Sequence, residues 1–219
     1  MFRNMLMTVA ALATFGVAAA RAQGVSTSDP GKGYAEIVAQ SAFGNVTSQN
    51  YGAEFGFTVT PTVQVFFEVG HTLNVATDAI SSSAQTIASA LSQTQSNVGY
   101  SVKQPLTFGV GGVRYLIPVS GSKLLPYVIG GFGVAKASND ASFTVSGSDV
   151  TSSLSQYGIV LGSDLSGGFT KPMVTFGGGV SYPVWESLIL DFQFRYGHVF
   201  AEGESINSSR AGVGVGFRF

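Results

Sequence analysis

The 219-residue sequence contains no cysteine and only two histidines, His71 and His198. Disulfide bonds are therefore excluded as the means of holding the fold together. The usual zinc sites are also disfavoured because their Cys and His ligands are missing or scarce, and no motif indicates a cofactor. Charged residues make up only 11% of the chain, against about 25% in an ordinary soluble domain. We expect the two histidines to be rim residues of the fold, and we predict neither a metal site nor a cofactor site.

The sequence also has no strongly basic balance, since its formal net charge is −1. That balance predicts no nucleic-acid partner. After the first 22 residues, no segment approaches 18 consecutive apolar residues, so no transmembrane helix is expected in the remainder.

Residues 1–22 have the three parts of a secretory signal peptide. Arg3 provides the charged start, an apolar run follows, and Ala20-Arg21-Ala22 forms the small-x-small end. A retained helical anchor is the alternative, but a bilayer-spanning helix needs about 20 apolar residues and this run is shorter. The sequence therefore predicts a signal peptide over 1–22, cleavage before Gln23, and one mature domain over 23–219.

Alternation with a period of two is the main pattern in the mature chain. In residues 188–196, apolar side chains occupy one face and Asp191, Gln193 and Arg195 occupy the other. The same alternation occurs in 51–59, 63–70 and 210–219, where glycines share the less apolar face with charged residues. A soluble sandwich or a lipocalin shows this period too, so the period alone does not identify the solvent around the strands.

Three further features favour a membrane. The candidate strands approach the roughly 9 to 11 residues of a membrane-spanning strand, ionisable groups alternate with glycines, and short connections alternate with long ones. The fold class predicted is all-β, a closed antiparallel up-and-down transmembrane β-barrel of eight strands. The predicted strands are 34–43, 51–60, 63–72, 101–116, 125–137, 170–182, 187–199 and 208–219.

The predicted connections fall into two sets. The short ones, at Pro61, 118–123 and 183–186, are placed on the periplasmic side, with Trp185 at the membrane interface. The long ones, 44–50, 73–100, 138–169 and 200–207, are placed outside. The second is predicted to hold a short helix near 76–91, and the third to be mobile with an added hairpin at 141–145. The facing of strands four and five stays open because glycine occurs on both parities.

The C-terminal run Val213-Gly214-Val215-Gly216-Phe217-Arg218-Phe219 resembles the terminal signature of outer-membrane β-barrels. Together with the mature span, it is similar to the small outer-membrane barrel family that includes opacity-type surface antigens and OmpA-like transmembrane domains. The resemblance implies a location in the bacterial outer membrane and recognition of Phe217 and Phe219 by the barrel-assembly machinery. The sequence ends at this strand, so the peptidoglycan-binding domain of OmpA-like proteins is not expected.

Charged residues on the inward face form the candidate site. Two interpretations compete: a gate of ion pairs that rearranges to admit solutes, and a satisfied polar core, which is favoured because a buried charge must be paired. Arg114 is expected to join Glu36 and Arg218 near the periplasmic end. The predicted lumen charge network comprises Glu36, Glu54, Glu68, Arg114, Asp191, Arg195 and Arg218.

No catalytic site is predicted. Glu54 and Glu68 resemble a hydrolytic carboxylate pair but lack a substrate cleft, and Ser and His form no nucleophile motif. The glycine runs at 130–133 and 177–179 lack the helix and the Lys-Ser or Lys-Thr pair of a phosphate loop.

The function predicted is that of a monomeric barrel in contact with outer-membrane lipid, with a structural or surface-interaction role carried by its external loops. Two alternatives remain open at this point: a narrow channel or small-molecule transport barrel, and a soluble periplasmic lipocalin-like binder.

Overall fold

The computed structural model describes residues 30–201 and 205–219. The predicted signal peptide lies outside the described residues. Eight long strands form one closed antiparallel barrel. They are β1 (Gly33–Phe43), β2 (Ser48–Thr60), β3 (Val63–Thr72), β5 (Leu106–Leu116), β6 (Leu125–Ser138), β9 (Gly168–Pro183), β10 (Leu188–Val199) and β11 (Ile206–Arg218). Their order around the barrel is β1-β11-β10-β9-β6-β5-β3-β2.

The predicted eight-stranded barrel is thus confirmed, and β1 closes it by pairing with both β2 and β11. The last residue takes part in this closure, because the backbone N–H of Phe219 donates to the carbonyl of Gly33 at 3.0 Å. All neighbouring strands of the barrel are antiparallel. Each barrel strand pairs with the barrel strands before and after it in the chain, and β1 pairs with β11 where the barrel closes.

The predicted facing of residues 51–59, 63–70, 188–196 and 210–219 is also confirmed. Outward residues are exposed and apolar, whereas inward residues are buried and include the charges. A lipocalin-like soluble barrel would place its apolar residues inside, so the observed facing argues against that alternative. The exposed outward phenylalanines within the barrel strands include Phe55, Phe57, Phe67, Phe132, Phe176, Phe192, Phe194 and Phe217.

The burial of alternate residues fixes the facing of predicted strands four and five, which correspond to β5 and β6. On β5 and β6 the inward positions include Phe108, Arg114 and Tyr127. The register between the two strands runs without a break from Leu106 to Leu116. Glycines lie on both faces of these strands, some beside an aromatic ring and others against the backbone of a neighbouring strand. Parity alone therefore did not assign the facing.

The predicted fourth strand, 101–116, was wrong as one element. It divides at Gln104 and Pro105 into β4 (Val98–Lys103) and β5. Pro105 has no N–H for a strand ladder, and the Gln104 N–H donates to Asn74 Oδ1 at 2.9 Å instead. Only β5 belongs to the barrel, while β4 pairs with β7 (Asp140–Val145) in a separate sheet.

That separate sheet is part of a folded unit at the long-loop end, here called the cap. It comprises residues 74–104 and 139–167. Its elements are α1 (Asp78–Ser92), β4, β7, β8 (Ser148–Asp149), a 3-10 helix (Thr151–Tyr157) and α2 (Ser163–Ser166). The helix and the hairpin were predicted from sequence, but the connection 138–169, predicted to be mobile, carries far more secondary structure than expected.

The cap has a hydrophobic core of its own. Helix α1 buries Ile80, Ala84, Ala88 and Leu91, a spacing of three and four residues that defines one apolar helix face. Phe143 on β7 is fully buried in the same hydrophobic cluster as this face. The β7–β8 turn has positive φ at Ser146 and Gly147, as a two-residue hairpin turn requires. Within the described part of the chain, neither helix has the length and hydropathy to cross a bilayer.

Candidate functional site

Three carboxylates lie side by side on adjacent barrel strands. Glu36 on β1 is paired in register with Glu54 on β2, and Glu54 is paired with Glu68 on β3. All three point into the lumen and are at most 3% exposed. Like charges directly opposite one another destabilise a sheet, so this row needs cations from other strands.

Three arginines from other strands supply those cations. Arg195 Nη2 lies 2.7 Å from Glu54 Oε2, and Arg210 Nη1 lies 2.8 Å from Glu68 Oε1. Arg114 lies 3.5 Å from Glu54 and 3.2 Å from Asp191 on β10. The six ion-paired residues, here called the lumen ion cluster, are Glu54, Glu68, Asp191, Arg114, Arg195 and Arg210.

The cluster spans the barrel rather than lining one wall. Arg195 lies on β10 and Arg210 on β11, while their carboxylate partners lie on β2 and β3. Each ion pair therefore joins strands that are not neighbours in the closed order. Because charge-assisted pairs of this kind are about twice as strong as neutral hydrogen bonds, they tie opposite walls together and fill the space between them.

Aromatic rings contact all three arginines, and the contacts are closest at Arg114 and Arg210. Arg114 stacks 3.5 Å from the centroid of the Tyr127 ring and 4.6 Å from that of Tyr34. The Tyr127 hydroxyl donates to Asp191 at 2.7 Å, and the Tyr34 hydroxyl donates to Glu54. Arg210 stacks 4.3 Å from the Phe108 ring centroid. Desolvated guanidinium–ring stacking is worth about 2 kcal/mol.

Glycines on neighbouring strands make room for those rings. Tyr34 faces Gly56 directly across β1 and β2, and a Cβ on Gly56 would fall inside the tyrosine ring. Phe108 faces Gly70, and Tyr127 faces Gly179, with the same consequence. The glycine–charge alternation in the sequence therefore has a physical cause: a glycine accommodates a ring, and the ring positions an arginine.

A second, uncharged layer lies beside the cluster. Thr72 donates to Asn50 at 2.9 Å, and Asn50 donates to Gln40 at 2.8 Å. Gln40 donates in turn to Gln193 at 3.2 Å. Gln193 then connects the chain to the charges, because it accepts from Arg195 Nε at 3.0 Å and donates to Glu36 at 3.3 Å.

Six of the seven predicted network residues are buried in the lumen, and five of these six belong to the cluster. Glu36 touches the polar layer through Gln193, and no ion pair of 4.0 Å or less involves it among the described residues. Arg218 lies at the short-turn mouth, paired in register with Tyr34 rather than Glu36, and its Nε donates to the Glu186 carbonyl at 2.7 Å. The expected contact between Glu36 and Arg218 is therefore not among the interactions described.

Arg210, Tyr34 and Tyr127 were missed from sequence. Arg210 lies within the predicted strand 208–219 and has the same parity as Gly212 and Arg218, so the alternation already indicated that its side chain points inward. Tyr34 has the same parity on its strand as Glu36, which indicates that it points inward too. Tyr127 could be placed in the lumen only once the facing of the fifth strand was known.

The two histidines lie on the outward face at the long-loop ends of their strands, as predicted. His71 Nδ1 contacts the Thr107 hydroxyl at 2.8 Å, and His198 Nδ1 contacts Asn207 Oδ1 at 2.7 Å. Among residues 30–201 and 205–219, no group of three or more acidic or histidine side chains is arranged to hold a metal ion.

The cap is joined to the barrel rim through Asn74 and Asn139. Asn74 Oδ1 accepts from the N–H groups of Ala76 and Gln104. Asn139 Oδ1 accepts from the Gln104 side chain at 2.8 Å. These bonds connect the β3–α1, β4–β5 and β6–β7 junctions, so the cap is held to the barrel at three points.

On the exposed surface of the cap, hydrogen bonds from the Thr151 hydroxyl and N–H lower the pKa of Asp149.

Comparisons with known proteins agree with this architecture. The sequence profile described as the outer membrane protein beta-barrel domain matches residues 7–219. No curated protein matches at a significant level. Among solved structures, the chain is similar to Neisserial surface protein A, with 16% identity, a TM-score of 0.54, and coverage of 85% of this chain and 96% of that one.

Two further solved structures are similar. A major outer membrane protein from Thermus thermophilus has 10% identity and a TM-score of 0.51, covering 85% of this chain and 99% of that one. The attachment invasion locus protein of Yersinia pestis has 12% identity and a TM-score of 0.49, covering 86% of this chain and 99% of that one. At these identities the likeness to solved structures concerns the fold.

Proposed function

The chain belongs to the outer membrane protein β-barrel domain family, and on that premise we propose that it is a closed membrane scaffold that presents a folded cap for surface interaction. Family membership indicates an outer-membrane location. Short connections of such barrels face the periplasm and long ones face the exterior, so the cap is extracellular.

The lumen ion cluster is the observation that carries the closed-scaffold proposal. Its arginines are at most 2% exposed, and they join opposite walls of the barrel. An eight-stranded barrel leaves an interior just wide enough for side chains to fill. Passage of a solute would require several buried ion pairs to separate together, each leaving uncompensated charge at a cost of about 3–5 kcal/mol. This favours the satisfied polar core over the gate, and we propose no catalytic role.

The cap is the feature that supports surface interaction. A barrel needs only short loops to close its strands, yet here two long connections build a separate core around Phe143 and Leu154. Extracellular loops positioned on a rigid scaffold commonly carry binding. The cap surface is polar and bears Asp78, Asp140 and Asp149 with few cations, which suits an uncharged or basic partner surface.

An adherence assay tests the surface role. Cells expressing the protein are compared with cells lacking it for attachment to a panel of immobilised purified extracellular proteins and to one another. The Phe143→Ala variant disrupts the cap core, and Thr144→Ala, on the opposite face of β7, is the matched control. We expect attachment that is lost with Phe143→Ala and kept with Thr144→Ala. Equal attachment by all cells, including those lacking the protein, would contradict the surface role.

We further propose that the chain works as a monomer and that residues 1–22 are removed before Gln23. We also propose that the barrel-assembly machinery recognises Phe217 and Phe219. Both side chains are more than 60% exposed on the outward face, so they are available to a partner protein before lipid surrounds them. N-terminal sequencing of the protein from outer membranes tests the cleavage position, and any start other than Gln23 would contradict it.

A further inference from the structure

A polar cleft opens on the outside of the barrel where β6 and β9 reach the extracellular rim. Its volume is about 430 Å³, and none of the described residues that line it is acidic. Hydroxyl groups and backbone supply most of the lining, and Lys136 supplies the positive charge. The lining residues are Lys136, Ser138, Asn139, Ser166, Gly167, Gly168, Phe169 and Thr170.

The cleft lies at the upper edge of the apolar belt. Lys136 is on the outward face of β6, directly after the outward residues Phe132 and Val134, which are 62% and 54% exposed. Strands rise about 3.3 Å per residue, so the lysine lies only about 7 Å along the strand from Val134. An ammonium group at this position lies at the headgroup level of the outer leaflet.

The strand register extends this polar edge across four strands. His71 on β3 pairs with Thr107 on β5, Thr107 pairs with Lys136, and Lys136 pairs with Thr170 on β9. All four side chains are exposed. The next outward residues in the same strands, Val69, Gly109, Val134 and Pro172, are apolar or glycine. One continuous polar row therefore marks the boundary between the acyl chains and the headgroups.

Lys136 has no hydrogen-bond or ion-pair partner within the described ranges. This distinguishes it from the lumen arginines, each of which contacts a carboxylate. A lysine beside an anionic membrane surface contributes about 1 kcal/mol of attraction. The hydroxyls of Ser138 and Thr170 lie in the same cleft and can donate to the oxygens of a tetrahedral anion, whereas the Ser166 hydroxyl donates to the Gly162 carbonyl.

We propose that this cleft binds the phosphate headgroup of an anionic lipid in the outer leaflet. The acyl chains would follow the apolar surface of Phe132, Val134 and Phe176 below the cleft. A free phosphate ion would use the same polar groups but none of that apolar surface, and for this reason the proposal commits to the lipid. The site is separate from the surface role proposed for the cap and does not depend on it.

Native mass spectrometry of the folded, full-length protein in neutral detergent tests the proposal. The probes are phosphatidic acid and phosphatidylcholine with identical acyl chains. We expect phosphatidic acid to be retained over phosphatidylcholine. Lys136→Gln should lower its affinity about fivefold, the equivalent of about 1 kcal/mol for one lysine, and Lys136→Arg should restore most of it.

Lys103→Gln is the matched control, because Lys103 is an exposed lysine on β4 in the cap, away from the lipid-facing wall. We expect it to leave phosphatidic acid binding unchanged. Equal loss in Lys103→Gln and Lys136→Gln, or no loss in Lys136→Gln, would overturn the site. Displacement of phosphatidic acid by an equal concentration of inorganic phosphate would overturn the commitment to a lipid.

Discussion

Replacing Arg195 with methionine removes the cation that spans the lumen to Glu54. In the native barrel, Arg195 lies 2.7 Å from Glu54 and donates to Gln193 at 3.0 Å, with no exposed surface. Methionine is unbranched and apolar but ends short of the guanidinium position, so the change removes the cation and leaves Glu54 without its shortest ion pair. Loss of one partner from a buried pair costs about 3–5 kcal/mol, and we expect the free energy of unfolding to fall by that amount.

Urea titration of the barrel in detergent micelles measures this loss. Trp185 is the only tryptophan and is 72% exposed in the β9–β10 turn, so its fluorescence reports whether the turn is at the micelle interface. The double variant Arg195→Met with Glu54→Gln removes both charges. It should be more stable than Arg195→Met alone, because it also removes the buried Glu54 charge, which would otherwise keep only Arg114 at 3.5 Å and the Tyr34 hydroxyl as partners.

Arg218→Met is the matched control, since Arg218 lies at the barrel mouth and donates to a backbone carbonyl. A partly exposed interaction of this kind is worth about 1 kcal/mol or less. The reasoning is refuted if Arg195→Met costs no more than Arg218→Met, or if the double variant is the least stable of the three.

Three further changes test other parts of the structure. Gly56→Ala should lower the folded fraction on heat-modifiable gels because its methyl group meets the Tyr34 ring. Gly130→Ala should not, because its methyl group would lie 3.7 Å from the nearest atom, on Phe176. Equal effects of the two variants would contradict the ring-accommodation argument. Phe219→Ala should reduce assembly in cells while leaving the urea midpoint of the refolded barrel unchanged, whereas Phe43→Ala, an outward aromatic at the other end of the barrel, should assemble normally. Phe143→Ala should cost the cap about 3–5 kcal/mol and make it sensitive to limited proteolysis without changing barrel mobility; a protected cap would contradict an independent hydrophobic core.

The barrel could be predicted because one physical rule governs most of its strands. Lipid outside and a packed interior favour alternation, and β2, β3, β10 and β11 follow it along most of their length. The exceptions include the irregularity between Thr58 and Thr60 and the buried Phe66 and Ile189. Alternation is less clear on β5 and β6 because glycines lie on both faces. The outward Gly109 and Gly111 lie beside the Phe67 ring, and the inward Gly112 and Gly133 lie against the backbone of the neighbouring strand. There the parity is set by cross-strand packing, which a single strand does not display.

The lumen cluster was only partly predictable for a related reason. Parity identifies which charges point inward, so Glu54, Glu68 and Asp191 were found. Which arginine reaches which carboxylate depends on barrel shear and on the rings that support the arginines. The helix and the hairpin of the cap were predicted, but their union in one folded unit was not. It depends on β4 pairing with β7, about 40 residues further along the chain, and local sequence carries no record of that pairing.

The central claim is that the lumen is closed by packed ion pairs, and single-channel recording of the folded protein in a planar bilayer tests it most directly. We expect an electrically silent barrel, both for the native chain and for Arg218→Met. Heat-modifiable gel mobility of the same sample establishes that the barrel is folded. Discrete, reproducible openings of the folded native protein would contradict the account and would return the lumen charges to the role of a gate.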